Sequence, residues 1–390
     1  MNVPDGFTEQ DRQLLVSLRR DLHRQPELSW AESRTQARLE RALRDSGVTA
    51  ISRIARTGLL AVIPGRDPSV RPVAIRGDID ALPITEDTGL PYSSEYPGVM
   101  HACGHDVHAS WAVGTALLLA RSPASGDVRV ILQPAEEVGE GASAVLESGA
   151  LDGVAAIFGG HVDRRFPVGQ VVADAGPIAA STDTFQVLLQ GSGAHGARPQ
   201  EARDPIVGAA YLIAAIQTIV ARRLDPALAG VVTIGTVAAG RAANIIPDRA
   251  ELSGTIRATT HATRALLRVE LERMSHAVAA THGLTANVQF TQGTPPVVNS
   301  ESCAGWAASA VERVLGPGAR VPLGTTNMGG EDFAFYLERV EGCFLRIGAR
   351  EAGTSVIPAH SPHFYAAEDS IFVGAAVLAE CARIASEATR

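Results

Sequence analysis

Apolar positions near the start of the chain recur at helical spacing. Leu14, Leu15, Leu18 and Leu22 fall on one face among charged neighbours. Residues 10 to 46 therefore predict an amphipathic helix, broken near Pro26 and resumed from about Glu32. The pattern then shortens. LLAVIPG, VAIRGDID, VRVILQPAEE and AAIFGGHV each read as an apolar strand with polar residues at its C-terminal end. Helical stretches lie between them, near 106–121 and 140–149. Strand–helix alternation predicts a layered α/β domain, whose ligand sites fall beyond the C-terminal ends of strands. The polar clusters stand at those ends.

The pattern changes near residue 181. TDTFQVLLQGSG predicts a strand, 204–223 a long helix, VVTIGTVAAG and RAELSGTIRA two strands, 261–282 a helix, and TANVQFTQGTPP a closing strand. Two helices among four strands predict a small α+β sandwich at 181–294. Chemistry-bearing sequence resumes after it, in GGEDFAFY and PAHSPHFY. The reading is therefore one domain, 1–180 plus 295–390, interrupted by another joined through two chain crossings.

Composition narrows this picture. The chain has 390 residues, 46% hydrophobic and 19% charged, which suits two globular domains. A net charge of −8 with no Lys/Arg-rich stretch predicts no nucleic-acid partner. The start, MNVPDGFTEQDRQLL, has no basic segment leading into an apolar one, so no secretory leader is expected. No uninterrupted apolar run reaches about 18 residues, so no membrane span is expected. Cys103, Cys303, Cys343 and Cys381 lie far apart, without a CxxC pair. That argues against a disulfide framework and for a reducing cytoplasm.

The candidate chemistry lies in short clusters. In RGDIDALP, Asp78 and Asp80 stand at i, i+2 after a strand and face one side; a turn with solvated acids is the alternative. HACGHDVH offers Cys103 and His105 at the same spacing, with Asp106 and His108 as groups that orient ligands. A plain helix N-terminus or a cysteine nucleophile would also fit this stretch. QPAEEVGEG places Glu136 and Glu137 together after an apolar strand. Such acids are costly in a buried place unless paired or cation-bound, and they would divide into a general base (Glu136) and a ligand (Glu137); exposed loop acids are the alternative. GGHV and PAHSPHF add His161 and His360. Five ligand-type residues from four strand-end segments suit a two-metal site.

Taken in order, RGDIDALP, MHACGHDVHAS, LQPAEEVGEGA, GGHV, GSGAHGARP, NIIPDRAELSGTIR, GGEDFAFY and HSPHF resemble the metal-dependent aminoacylase family. That family includes hippurate hydrolases, auxin–amino-acid conjugate hydrolases and related carboxypeptidases. The resemblance runs from about residue 12 to about 385. It implies a three-layer α/β/α di-metal catalytic domain carrying an inserted, ferredoxin-like α+β lid and dimerisation domain. It also implies two divalent ions (Mn, Zn, Co or Ni) on Cys103, His105, Glu137, His161 and His360, with Glu136 as general base. His195 resembles a histidine that reaches the substrate oxyanion, often from the partner subunit. Asn244 and Arg257 resemble residues near the substrate carboxylate, and Asp80 an aspartate beside the metal centre. The implied partners are a small N-acyl amino acid and a second copy of the chain, as a homodimer or a dimer of dimers.

Two departures stand out. Gln200 occupies a position where the family commonly has histidine, and Arg164 and Arg165 follow His161. Both arginines read as solvated loop residues. The expected reaction is metal-assisted hydrolysis of an N-acyl amino acid, with Arg257 clamping the carboxylate and lid closure about hinges. A dipeptidase or carboxypeptidase would use the same chemistry. A non-catalytic binding protein would have no need of Glu136.

Overall fold

The computed structural model describes residues 4 and 6–390. The reading of the extreme N-terminus as leaderless falls in part outside the described residues. The elements in chain order begin with α1 (Glu9–Arg24), α2 (Ser33–Asp45), β1 (Ile51–Ile54), β2 (Gly58–Ile63), β3 (Val73–Asp78), α3 (His105–Arg121), β4 (Val128–Gln133), α4 (Gly141–Glu147), β5 (Ala156–Pro167), β6 (Val171–Val172) and β7 (Gly176–Ala179). Next come β8 (Ser181–Gln190), β9 (Ala194–His195), α5 (Pro205–Arg222), β10 (Gly230–Ala239), β11 (Ile245–Ile246), β12 (Arg249–Ala258), α6 (His261–Thr281) and β13 (Thr285–Gln292). The last are β14 (Val297–Asn299), α7 (Glu301–Leu315), α8 (Ala334–Leu337), β15 (Gly342–Arg350) and α9 (Asp369–Ala388).

Two compact units result. The first holds the chain up to Gly176, Asn299–Thr325 and Asp332–Arg390; the second holds Pro177–Val298 and Thr326–Glu331. The short return of Thr326–Glu331 makes four crossings of the chain between units, where the sequence suggested two.

The first unit is built on a seven-stranded sheet in the order β1-β2-β4-β3-β5-β15-β6. Its middle strands β4, β3, β5 and β15 run parallel, and both flanks are antiparallel. Every residue of β3 is buried, as expected for a central strand covered on both faces. Chain order reverses at β3: β4 lies on one side and β5 on the other. This is the point where an open α/β sheet leaves a crevice beyond its strand ends. Helix α3 is apolar and buried almost throughout, packing beside α9 and α1 around Trp111.

The second unit runs β8-α5-β10-β12-α6-β13 with sheet order β10-β12-β8-β13, all antiparallel. This is the ferredoxin-like arrangement. Phe185, Val187 and Leu189 of β8 alternate inward, meeting Leu212 and Ile216 of α5 and Leu267 and Leu271 of α6. Helix α5 is long and apolar enough, by length and composition, to cross a membrane, which the sequence reading did not anticipate. It buries Gly208, Ala209, Leu212, Ile216 and Ile219 within this unit. The buried pair Arg264–Asp183, at 2.6 and 2.8 Å, ties α6 to β8.

Candidate metal centre

Four segments of the first unit deliver ligand-type atoms to one place. β3 ends at Asp78 and the chain continues to Asp80; α3 begins at His105; β4 leads to Glu136 and Glu137; β5 carries His161. Gly104 caps α3 in the left-handed region at φ 95°, and a Cβ there would lie 2.4 Å from Val162. Only glycine lets Cys103 and His105 approach β5 this closely. Ala135 and His360 also hold positive φ, at 53° and 65°. Such strain beside two ligand-bearing segments costs about 1–3 kcal/mol each and persists only where neighbours enforce it. At Ala135 the backbone N–H donates to the Glu32 carboxylate at 2.9 Å.

The ligand atoms form overlapping groups, each within 4.8 Å: Cys103/His105/His161, Cys103/Glu137/His360 and His105/Glu136/Glu137. Cys103 belongs to two of them. Its Sγ lies 3.1 Å from His161 Nε2, and His360 Nε2 lies 3.5 Å from Glu137.

Hydrogen bonds set the tautomers. His105 Nδ1 donates to Asp80 at 3.1 Å, and His161 Nδ1 to the Val162 carbonyl at 2.7 Å. Each therefore turns its Nε2 toward the cluster. His108 differs: Nδ1 donates to Asp78 at 2.6 Å, Nε2 accepts from the Val162 N–H at 3.0 Å, and the ring stacks on Trp111. With both nitrogens used, it braces the site and is no ligand. Asp106 likewise turns away, toward Arg19 and His23 at 2.8 Å. Asp80 joins three pieces, accepting from His105, the Glu137 N–H and Ser29.

The site is built for cations. His105 Nε2 and Glu137 Oε1 are buried without a hydrogen-bond partner. Carboxylates of Asp78, Glu136 and Glu137 surround His105 Nε2 at 3.8 Å. Burial opposes a charged His105, yet Asp78, Cys103 and Asp80 outweigh it and hold its pKa well above the usual value. Burial and Glu137 push the Cys103 thiol well up. Reactive cysteines sit in electropositive surroundings, whereas Cys103 lies among carboxylate and imidazole donors that only a bound cation would complete, as suits a ligand. Thiolate, imidazole and carboxylate donors fit divalent transition ions.

Sequence reasoning passed over the supports beneath. Arg76, buried inside β3, binds Asp78, Gln133 and Asp332 at 2.5–2.9 Å. An arginine within an apolar strand was the available signal, because a buried charge must be paired. Glu32 and Ser29, from the segment after α1, carried no such signal. Arg164 is corrected: it sits in β5, 3% exposed, donating to the Tyr365 carbonyl at 2.7 Å, not in a solvated loop. Arg165 is exposed, also in β5, and paired with Asp163. Gln200 is exposed in a 3₁₀ turn.

The residues expected on the substrate side, His195, Asn244 and Arg257, lie in the second unit. His195 is exposed in β9, opposite Ile245, and its Nδ1 accepts from the Ala197 N–H at 3.0 Å. Asn244 is beside it, its carbonyl accepting from the Gly196 N–H at 2.8 Å. Arg257 is elsewhere. It pairs with Thr182 at one end of β8, whereas His195 follows the other end at Gln190. Those ends are about 26 Å apart at ~3.3 Å per residue. One copy of the unit does not bring Arg257 and His195 together.

The overlapping donor groups define a candidate metal centre, and the relatives below make the protein a hydrolase of the metal-dependent kind. Residues 74–384 match peptidase family M20/M25/M40, and the chain belongs to that family. It is 39% identical to an N-acetylcysteine deacetylase of Bacillus subtilis over 96% of this chain and 97% of that protein. It is 36% identical to an IAA-amino acid hydrolase of Arabidopsis thaliana, covering 94% and 84%. A solved Bacillus subtilis structure, described as a dinuclear metal binding peptidase of the M20 family, matches with TM-score 0.86 at 36% identity, covering 97% of this chain and 99% of that one.

Proposed function

We propose that the protein hydrolyses the amide bond of N-acyl-L-amino acids, using two divalent ions held by Cys103, His105, Glu137, His161 and His360. The observation that carries this is the sharing of Cys103 between two ligand groups, with Glu136 at their edge. Similarity to a deacetylase and to an amino-acid conjugate hydrolase supports the substrate class. Bound there, Mn, Zn, Co or Ni would supply Lewis acidity, polarising the attacked carbonyl and making water nucleophilic near neutral pH.

The chain's own groups do the rest. Glu136 takes the proton of the attacking water and passes it to the leaving nitrogen as the C–N bond breaks. A carboxylic acid and a free amino acid result. Asp80 keeps His105 in its Nδ1–H tautomer, and His108 and Asp106 hold the surrounding segments. His195 is assigned to the developing oxyanion, with Arg257 and Asn244 at the substrate carboxylate. Arg257 stands at one end of the four-stranded sheet and His195 beyond its other end, in the β9–β11 pair, so both meet an amino-acid-sized substrate only if a second copy supplies one of them. This supports a homodimer or a dimer of such dimers. The domain assignment is part of the proposal: 1–180 with 295–390 for catalysis, 181–294 as lid. So is a reducing cytoplasm, supported by four free, buried cysteines.

The test is Glu136→Ala. Turnover should fall by about 10²–10⁴-fold while metal content stays at the wild-type level. Near-normal activity would show that Glu136 is not the base.

A further inference from the structure

One buried cluster has no part in this chemistry. His23, in the last turn of α1, is fully buried. Its Nδ1 lies 2.8 Å from Asp106 Oδ2 and its Nε2 lies 3.2 Å from Glu86 Oε1. Ionised carboxylates only accept, so both ring nitrogens must donate, and the ring is an imidazolium. The facing groups agree. Arg19 Nε lies 2.8 Å from the same Asp106 oxygen, Arg19 and Arg20 approach Glu368, Tyr92 meets the ring edge-on at 5.6 Å, and His101 lies 6.2 Å away. Three cations then balance three carboxylates. Burial works against the charge on His23, but Asp106 and Glu86 outweigh it and its pKa is raised.

The two carboxylates belong to different ligand-bearing parts. Asp106 adjoins His105. Glu86 organises a loop by accepting from the Thr88 hydroxyl and from the Ser94 N–H at 2.7 Å. That loop grips the segment of His360: the Asp87 N–H donates to the Pro362 carbonyl at 2.8 Å, and His363 Nδ1 donates to the Asp87 carbonyl at 2.5 Å. The circuit closes where the His360 N–H donates to the Ala102 carbonyl at 2.8 Å.

We propose that His23 is a positioning residue that ties the Cys103–Asp106 segment to the loop bearing His360, and so sets the Cys103/Glu137/His360 group. The inference rests on the two-metal reading above. Without His23, two buried carboxylates face each other across its place, and the 86–94 loop and His360 are displaced. Cys103 is common to both groups, but the displaced part is the 86–94 loop with His360, while His105 and His161 keep their own braces, Asp80 and the Val162 carbonyl, so the effect falls mainly on one of the two metal steps.

The experiment is titration of chelator-stripped protein with Zn(II), followed calorimetrically. Wild type should take up two equivalents; fewer would defeat the two-metal reading itself, independently of His23. In His23→Leu one step should match wild type and the other weaken by about tenfold or more. Glu86→Gln should weaken the same step less. The double variant should be no worse than His23→Leu alone, because both changes break one tie and the second also removes the buried conflict. A residue that only fills space would give additive losses. Arg41→Ala, at the exposed Arg41–Asp45 pair of α2, should leave both steps unchanged. A folded His23→Leu with two wild-type steps, or additive losses in the double variant, would overturn the proposal. If His23→Leu does not fold, Glu86→Gln decides. The NMR titration of His23 should then move down toward its ordinary value as the metal step weakens, and a wild-type metal step despite that movement would overturn the proposal.

Discussion

The ligand-type cluster of the first unit and the residues proposed for the substrate side in the second are held in opposite ways. His105 is buried, and its ring is fixed by Asp80, which also holds Glu137 and Ser29. His195 is exposed on a two-residue strand, and its ring accepts from the N–H two residues on. Metal ligands need fixed angles and tautomers before the ion arrives, and the bracing of His105 and His161 suits that role. A group that meets the substrate in the transition state has no such need until the substrate is present, and an exposed, lightly tethered residue serves.

This contrast can be broken by substitution. His195→Ala should give the largest effect, a loss of about 10²–10³-fold in kcat, with Zn(II) uptake unchanged. A loss of metal in that variant would erase the distinction. Asp80→Asn should do the reverse: metal affinity falls by about 10–100-fold because His105 and Glu137 lose their common acceptor. Normal metal affinity with slow turnover would move Asp80 to the substrate side of the comparison.

How much of this was legible in the sequence follows the same line. Cys103, His105, Glu136 and Glu137 are local: two short segments at strand ends expose the pattern, and costly adjacent acids mark it. The alternation of β8 and the length of α5 similarly declared the second unit. Arg164 misled, since a charged pair after His161 resembled a loop while β5 runs on to Pro167 and buries it under Tyr365. Glu32, His23 and Arg76 escaped because their partners lie far along the chain: Ala135, Asp106 and Asp332. No periodicity encodes such pairs. The separation of Arg257 from His195 also needed the strand register, which sequence spacing does not give.

A smaller effect concerns acid. Burial would raise the pKa of Glu86, but bonds from His23, Thr88 and Ser94 overcome it and hold it at about 2. A carboxyl with a depressed folded-state value contributes stability above its unfolded value, near 4.5, and loses it as pH falls toward about 2. Thermal unfolding of wild type should therefore drop across that window, and Glu86→Gln should flatten the drop. An unchanged acid limb would remove Glu86 from the bracing network.

The central claim is metal-dependent cleavage of an acylated amino acid. Its most direct test is release of free amine from a panel of N-acyl amino acids and dipeptides, using chelator-stripped protein with and without added Mn, Zn, Co or Ni. The account predicts release from acyl substrates only when metal is restored. Release confined to dipeptides would make the protein a peptidase, and equal activity in the stripped protein would contradict the metal mechanism outright.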